Sequence, residues 1–410
     1  MQINYKFKDK FDIWFFVPII LLLGIGLIAI YSATLNNPIA ENNFTKQLIW
    51  VGTGIIVFFV IYFLPTNSFK NIAWPIYIFS ILLLIIVVVM GKRVSGAKSW
   101  LYLGSSLGFQ PSELAKISTI LALSSFLSKR EVDIESFKDI LLSLAIGFIP
   151  IVLILLEPDM GTVLVFITIF ITMIFWKGIS LFGLFIVLSP GIVAISSMFG
   201  ALPFIATLVI VAVILIFFKR GLIFSGSLFA INLASGFFTD YVFRALSPHQ
   251  QIRIKSFLNP MSDPLGSGYN SIQAKLAIGS GGLFGKGFLK GNQTQLNFIP
   301  EQWTDFIYSV IGEEFGFIGT VITLVLFLWI LLKILKVAIT TKDEFLSLTI
   351  IGILSLFFIH FMINIGMAVG IMPVIGITLP LVSYGGSSLL VNMALLGIVA
   401  NVYRTRKNYT

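Results

Sequence analysis

Apolar residues along this chain fall in long unbroken blocks separated by short polar connections, with no sustained alternation. Runs at Ile13–Ala33, Gln47–Leu64, Ile72–Met90 and Ser112–Leu127 are followed by Ile140–Leu156, Gly161–Trp176, Leu181–Phe199, Leu202–Phe218 and Leu222–Phe238. Phe306–Leu332, Phe345–Val369 and Leu379–Tyr403 bring the set to about twelve. Each approximates the roughly 17–25 residues with which an α-helix crosses ~30 Å of hydrocarbon. The pattern predicts an all-α polytopic membrane protein of about twelve spans, with residues 1–410 as one multispan domain. Two connections are longer, an outer loop over 91–111 and a larger one over 239–304 between the ninth and tenth spans.

Composition supports the same solvent. With 57% hydrophobic and 11% charged residues, a soluble domain could not cover its own surface with polar groups. No cysteine is present, which excludes disulfides, thiolate catalysis and cysteine-ligated metal sites. The two histidines, His249 and His360, share no metal-ligand spacing. The start, "MQINYKFKDKFDIWFF", has the basic flank of a signal sequence, but its apolar run is long and lacks a cleavage site. It reads as a retained first span.

Charge then sets orientation. An inside N-terminus puts Lys6, Lys8, Lys10, Lys70, Lys129, Arg130, Lys138 and Lys177 on the cytoplasmic side. Lys219, Arg220, Lys333, Lys336, Lys342, Arg404, Arg406 and Lys407 join them. The net charge of +9 is therefore a topology signal and not a nucleic-acid footprint. Both termini are expected in the cytoplasm, and the 239–304 loop outside.

Ionisable residues inside spans are costly and mark functional candidates. Glu113 and Lys116, in "FQPSELAKI", share one helix face and can pair. A purely structural ion pair is an equal reading of that spacing. Glu157 and Asp159 flank a proline in "LEPDMGT", where turn capping is the simpler role. Glu301, Asp305, Glu313 and Glu314 occur in "IPEQWTDFIYSVIGEEFGFIG". Ser383, Tyr384, Gly385, Gly386 and Asn392 begin the last span, where small residues also suit close helix packing. The outer loop contains "SDPLGSGYNSIQAKLAIGSGGLFGKG", rich in glycine and cations. A phosphate-binding P-loop is excluded there, because Ser280 and Gly287 stand where Gly and Ser or Thr are required. These features fit a lipid-substrate enzyme or a transporter, and do not choose between them.

The longer motifs choose. "RIKSFLNPMSDPLGSGYNSIQAKLAIGSGGLFGKG", "IPEQWTDFIYSVIGEEFG" and "LPLVSYGGSS", with "GAKSWLYLGSSLGFQPSELAK" and "EPDMGT", resemble the SEDS family of shape, elongation, division and sporulation proteins. The resemblance covers nearly the whole chain in order and is closest to the elongation members. Two features depart from the family pattern. Three runs lie over Leu181–Phe238 where the family has one span, which gives a family core of ten plus two. Trp303 stands where His is commoner, against an imidazole moving protons at that position.

The resemblance implies a peptidoglycan glycosyltransferase. Such a protein joins lipid II to a lipid-linked nascent glycan at the outer membrane face and releases undecaprenyl pyrophosphate. Asp263 is the implied general base, beside the plainer reading that it caps the Pro264–Gly266 turn. Lys116, Arg253 and Lys255, with Lys98 as a further candidate, are expected to hold the diphosphate. Glu113 would line the cavity with Lys116, Trp100 would contact sugar or shape the site, and Glu301, Asp305 and Ser383 would organise it. The glycine-rich stretch is expected to be a re-entrant or interfacial active-site loop. A divalent cation bridging Asp263 and the diphosphate is compatible with the chemistry, although no spacing demonstrates one. A class B penicillin-binding protein transpeptidase and other elongation-complex membrane proteins are the implied partners. A lipid II flippase, another transporter, a division or sporulation member of the same family, or a scaffold that only recruits the transpeptidase are the rivals.

Overall fold

A computed structural model describes residues 12–94, 97–103, 107–134, 136–218, 221–245, 248–258 and 267–406. Every apolar block forms a helix, in chain order α1 (Ile13–Thr34), α2 (Asn43–Phe63), α3 (Thr66–Met90), α4 (Pro111–Leu127), α5 (Phe137–Leu156) and α6 (Met160–Lys177). There follow α7 (Leu181–Ser197), α8 (Ala201–Phe217), α9 (Leu222–Ala245), α10 (Pro248–Leu258), α11 (Ser267–Ser280) and α12 (Asn292–Gln295). The chain ends with α13 (Ile307–Thr340), α14 (Glu344–Val369) and α15 (Gly386–Thr405). Among the described residues, nine of these helices are long and apolar enough to cross a membrane, and the apolar α7 and α8 are shorter. α4 has 17 residues, almost all of them buried.

Contacts group the chain into two compact units, where the sequence suggests one multispan domain. The larger joins Met1–Met173 to Lys255–Thr410, and the smaller is Ile174–Ile254. Within the larger, α4 packs against α3, α5, α14 and α15, and α15 lies along α2. Close approach needs small residues: a Cβ on Gly397 would meet the Phe58 carbonyl at 2.9 Å. Within the smaller, Phe182, Val193, Leu208, Val211, Leu215 and Leu228 form a core of their own. Ser235 Oγ donates to the Pro190 carbonyl at 2.9 Å, tying α9 to α7.

Three details go beyond the apolar pattern. The 91–111 loop contains, among its described residues, a small antiparallel sheet in the order β1 (Lys92–Val94), β2 (Ala97–Leu103), β3 (Leu107–Phe109). The 239–304 connection is not one irregular loop, because α9 runs seven residues past Phe238 and α10, α11 and α12 lie within it. The last helix begins at Gly386, so Leu379–Gly385 is a non-helical approach to it and Ser383 precedes the span.

Candidate active site

The glycine-rich stretch has a definite partner. α13 is broken at Gly316, whose φ of 65° and ψ of −159° leave helical neighbours without their usual bonds. The carbonyls of Glu313 and Glu314 accept instead from Lys286 N–H at 2.9 Å and Gly287 N–H at 3.0 Å. Phe317 N–H donates to Gly282 at 2.9 Å, and Ile318 N–H to Leu283 at 3.2 Å. Non-helical backbone is tolerated at such a place because another backbone segment satisfies it. Glycine is required at both centres of the exchange: Gly285 has φ 81°, and a Cβ there would collide with the Glu314 carbonyl. "GSGGLFGKG" is thus the mate of a broken helix, which local reading could not detect.

Glu313 fastens this clasp. Its carboxylate, fully buried, accepts from Lys286 Nζ at 2.9 Å and Gln293 N–H at 2.9 Å on one oxygen. The other oxygen accepts from Thr294 N–H at 2.9 Å and Thr294 Oγ at 2.8 Å. Glu314 takes the Ser32 hydroxyl and Gln295 Nε2, so α1 joins the same assembly. A carboxylate satisfied by four donors is an anchor and a poor ion carrier, which counts against the transport reading of Glu313. Glu313→Ala would orphan two backbone N–H groups and Lys286. At about 1–3 kcal/mol for each buried donor, we expect a lower unfolding midpoint and faster proteolysis within 281–297. A cleavage rate equal to the parent's would contradict the clasp.

A second polar assembly lies around α4. Lys116 Nζ donates to Glu113 Oε1 at 2.7 Å, with side-chain exposures of 2% and 8%. His360 Nδ1 lies 3.1 Å from the Thr378 carbonyl, an acceptor only, so Nδ1 carries the proton. Its Nε2 then accepts from Lys116 Nζ at 3.4 Å. One helical turn on, Asn364 Nδ2 donates to the carbonyls of Asp305 at 3.0 Å and Ile377 at 2.8 Å. Ser383 Oγ donates to the Thr304 carbonyl at 2.6 Å and accepts from Leu379 N–H at 2.8 Å. Glu113 Oε2 and Asn364 Oδ1 are buried without a hydrogen-bond partner among the described residues.

The structure therefore joins Glu113 and Lys116 to the 301–305 and 375–384 segments through His360 and Asn364. Neither of those two α14 residues belongs to a sequence motif, because the partners of both come from distant segments. Ser383 acts as a staple between two loops. Glu301, at φ 52°, turns the chain so that Thr304 and Asp305 N–H donate to its carbonyl at 3.1 and 3.2 Å. Half-buried Trp100 lies on β2, against Gly108 of β3.

Lys98 departs from its expected role. Its Nζ donates to the carbonyls of Val88 and Val89, both at 2.8 Å, and so caps the C-terminus of α3. Arg253 and Lys255 lie on α10, and Arg253 is partly exposed. Asp263 lies outside the described residues. Among the described residues, no group of three or more His, Asp or Glu side chains is placed to hold a metal ion.

Beside the β-sheet, Lys98 N–H donates to the Glu157 carbonyl at 3.1 Å. Glu157 is fully buried, and both carboxyl oxygens lack a partner among the described residues. Burial, and then the charge of Asp159, push its pKa up from 4.5 to about 8. The folded state thus prefers the protonated acid. Its contribution to stability is complete below pH 4.5 and is lost as pH rises through about 8. Glu157→Gln should flatten the fall in unfolding midpoint across that interval. Parallel pH profiles for parent and variant would contradict this.

An apolar groove of about 370 Å³ opens beside the clasp, walled by Ile25, Ile28, Phe284, Ile311, Phe315 and Ile322. Such a wall suits an aliphatic chain.

The comparisons with known proteins agree along the whole length. The chain matches the FtsW, RodA and SpoVE family of cell cycle proteins over residues 13–408. Peptidoglycan glycosyltransferase RodA of Treponema pallidum (strain Nichols) is 35% identical, over 96% of this chain and 98% of its own. Peptidoglycan glycosyltransferase MrdB of Escherichia coli (strain K12) is 35% identical, over 87% of this chain and 84% of its own. Stage V sporulation protein E of Bacillus subtilis (strain 168) is 33% identical, over 97% and 98%. Among solved structures, the rod shape determining protein RodA of Thermus thermophilus superposes with a TM-score of 0.64 at 27% identity, covering 99% of this chain and 98% of its own. A chain from a peptidoglycan synthase complex that coordinates polymerization and crosslinking gives a TM-score of 0.72 at 31% identity, covering 97% and 98%. The motifs around α4, the 239–304 segment and α15 are thus those of a known family, and the chain belongs to the FtsW, RodA and SpoVE (SEDS) proteins.

Proposed function

We propose that this protein is a peptidoglycan glycosyltransferase of the elongation type, polymerising lipid II at the outer face of the cytoplasmic membrane. The observation that carries the reading is similarity over nearly full length to proteins named for that activity. The reaction is attack of a sugar hydroxyl on an anomeric carbon bearing diphosphate, with undecaprenyl pyrophosphate leaving. It asks for a base, cations at the leaving group and an apolar track for the prenyl tail.

Asp263 is the base in this reading, taking the proton of the attacking hydroxyl. Lys116, Arg253 and Lys255 hold the diphosphate and stabilise its developing charge. Glu113 holds Lys116 in place through their 2.7 Å contact, and Trp100, Glu301, Asp305 and Ser383 shape the cavity. The groove at Ile311 and Phe315 is the kind of surface a polyprenyl tail needs. A divalent cation at Asp263 would supply further charge stabilisation. A class B penicillin-binding protein fits as partner, since one structural neighbour works in a complex of polymerization and crosslinking. The rival transport reading is separated by labelled lipid II in liposomes, where a flippase scrambles the lipid without joining it.

The basic residues place both termini in the cytoplasm in this account. The chain has no cysteine, so single introduced cysteines report topology cleanly. Lys290→Cys should react with an impermeant reagent on intact cells. Labelling only after lysis would invert the assignment.

A further inference from the structure

At the opposite end of the bundle from the clasp, α1 begins, α2 ends, and α13 and α15 terminate around a small pocket. Its volume is about 70 Å³, and Phe15, Phe16, Tyr62 and Val399 form part of its wall. A water needs only about 10–15 Å³ measured in this way, so the pocket has room for a phosphate group but not for a whole lipid. Three cations reach it, Lys333, Lys336 and Arg406, against one acid, Asp12. Three positive charges less one negative leave +2. Asp12 is already committed, because its Oδ2 lies 2.7 Å from Lys333 Nζ.

The other two cations have no acidic partner among the described residues. Arg406 lies 3.7 Å from the centroid of the Tyr403 ring, which holds the guanidinium in place without neutralising it. Lys336 is exposed and enters no ion pair among the described residues. Arg404, by contrast, is engaged with the Leu64 carbonyl at 3.3 Å and the Tyr62 ring. Topology alone asks for cations at this end of the bundle. It does not ask that two unpaired ones converge on one aromatic-walled pocket.

We infer that the pocket binds the phosphate of an anionic glycerophospholipid, such as phosphatidylglycerol, from the leaflet at this end of the bundle. The rim favours a lipid over a dissolved anion. Trp14, next to the pocket wall, is 58% exposed and stacks on Trp329 at 5.9 Å, and Leu332 beside Lys333 is 56% exposed. Apolar surface of this kind, with tryptophan at the level of the cations, is what acyl chains and the membrane interface cover. The flanking sequence adds Lys6, Lys8, Lys10 and Lys407 against Asp9, which makes it an unsuitable counter-charge. The inference is independent of the proposed glycosyl transfer.

The test uses the purified full-length protein in nanodiscs of neutral lipid, titrated with phosphatidylglycerol and read by unfolding midpoint and by native mass spectrometry of retained lipid. Lys336→Gln with Arg406→Gln removes the pocket's two unpaired cations. Lys70→Gln with Lys342→Gln removes the same charge from exposed positions outside it. We expect the pocket variant to bind phosphatidylglycerol about tenfold more weakly than parent and control, as for one lost charge-assisted hydrogen bond. Equal binding by parent and pocket variant would overturn the inference. Equal losses in both variants would overturn it too, reducing the effect to general charge attraction. Full stabilisation by inorganic phosphate alone would make this a free-anion site and would likewise overturn the lipid assignment.

Discussion

Asp263→Asn is expected to give a protein that inserts, folds and binds its transpeptidase partner, yet makes no glycan from lipid II. Asn keeps the size of Asp and much of its capacity to form turns. If the sequence-predicted role of capping a turn over 264–266 were its only one, residue 263 should therefore survive the exchange. A base should not, because an amide cannot accept the attacking hydroxyl's proton. General-base catalysis is worth roughly 10²–10⁴-fold, so the loss should reach the floor of a gel assay. Lipid II binding should change little, because the proton moves in the transition state. If the Asn protein polymerises within a few-fold of the parent, Asp263 is a turn residue. The base would then be sought at Glu113, Glu301 or Asp305.

The second large effect is expected at Lys116. The structure pairs it with Glu113 in a buried setting, so single substitutions confound two roles. Removing one partner strands the other's charge, at about 3–5 kcal/mol for a buried pair. Lys116→Ala should therefore lower folded yield as well as activity, and should impair activity more than Glu113→Gln does. The informative protein carries Glu113→Gln and Lys116→Met together. Replacing both members of a buried pair is often close to neutral for stability, so this variant should fold. It should remain inactive if Lys116 meets the diphosphate. A folded double variant with parental activity would reduce the pair to a helix-packing device.

Much of the fold was legible because a membrane span is a local property. Twenty apolar residues declare a helix without reference to any other part of the chain, and all twelve blocks contain one, the last only from Gly386 onward. Even the three runs over Leu181–Phe238 form helices, with a core built around Phe182 and Leu215. Local reading fails where partners are remote. The strands over 92–109 read KRV, AKSWLYL and LGF, three to seven residues with no sustained apolar–polar alternation, so they carry no period-2 signal. The break at Gly316 sits inside an apolar run that reads as one continuous helix. Its mate, residues 282–287, is some thirty residues away in sequence, so no local pattern reveals the pairing. Lys286 proves to be paired with Glu313.

The candidate site divides along the same line. Glu113 and Lys116 were legible because three residues on a helix fix a common face, and their 2.7 Å contact follows. His360 and Asn364 were not, since each gains its meaning from the 301–305 and 375–384 segments that fold against α14. Ser383 was legible as important but not for its task, because a hydroxyl bridging Thr304 and Leu379 has no motif. Lys98 shows the opposite error. A lysine in an outer loop suggests an anion, and here it reaches back to the open carbonyls of the preceding helix.

The most direct test of the central claim is incubation of the purified protein, with its cognate transpeptidase, on lipid II alone. The account requires glycan strands of increasing length, with one undecaprenyl pyrophosphate released for every bond formed, and their absence with Asp263→Asn. Folded, partner-bound protein that leaves lipid II unjoined, or only moves it between leaflets, would contradict it.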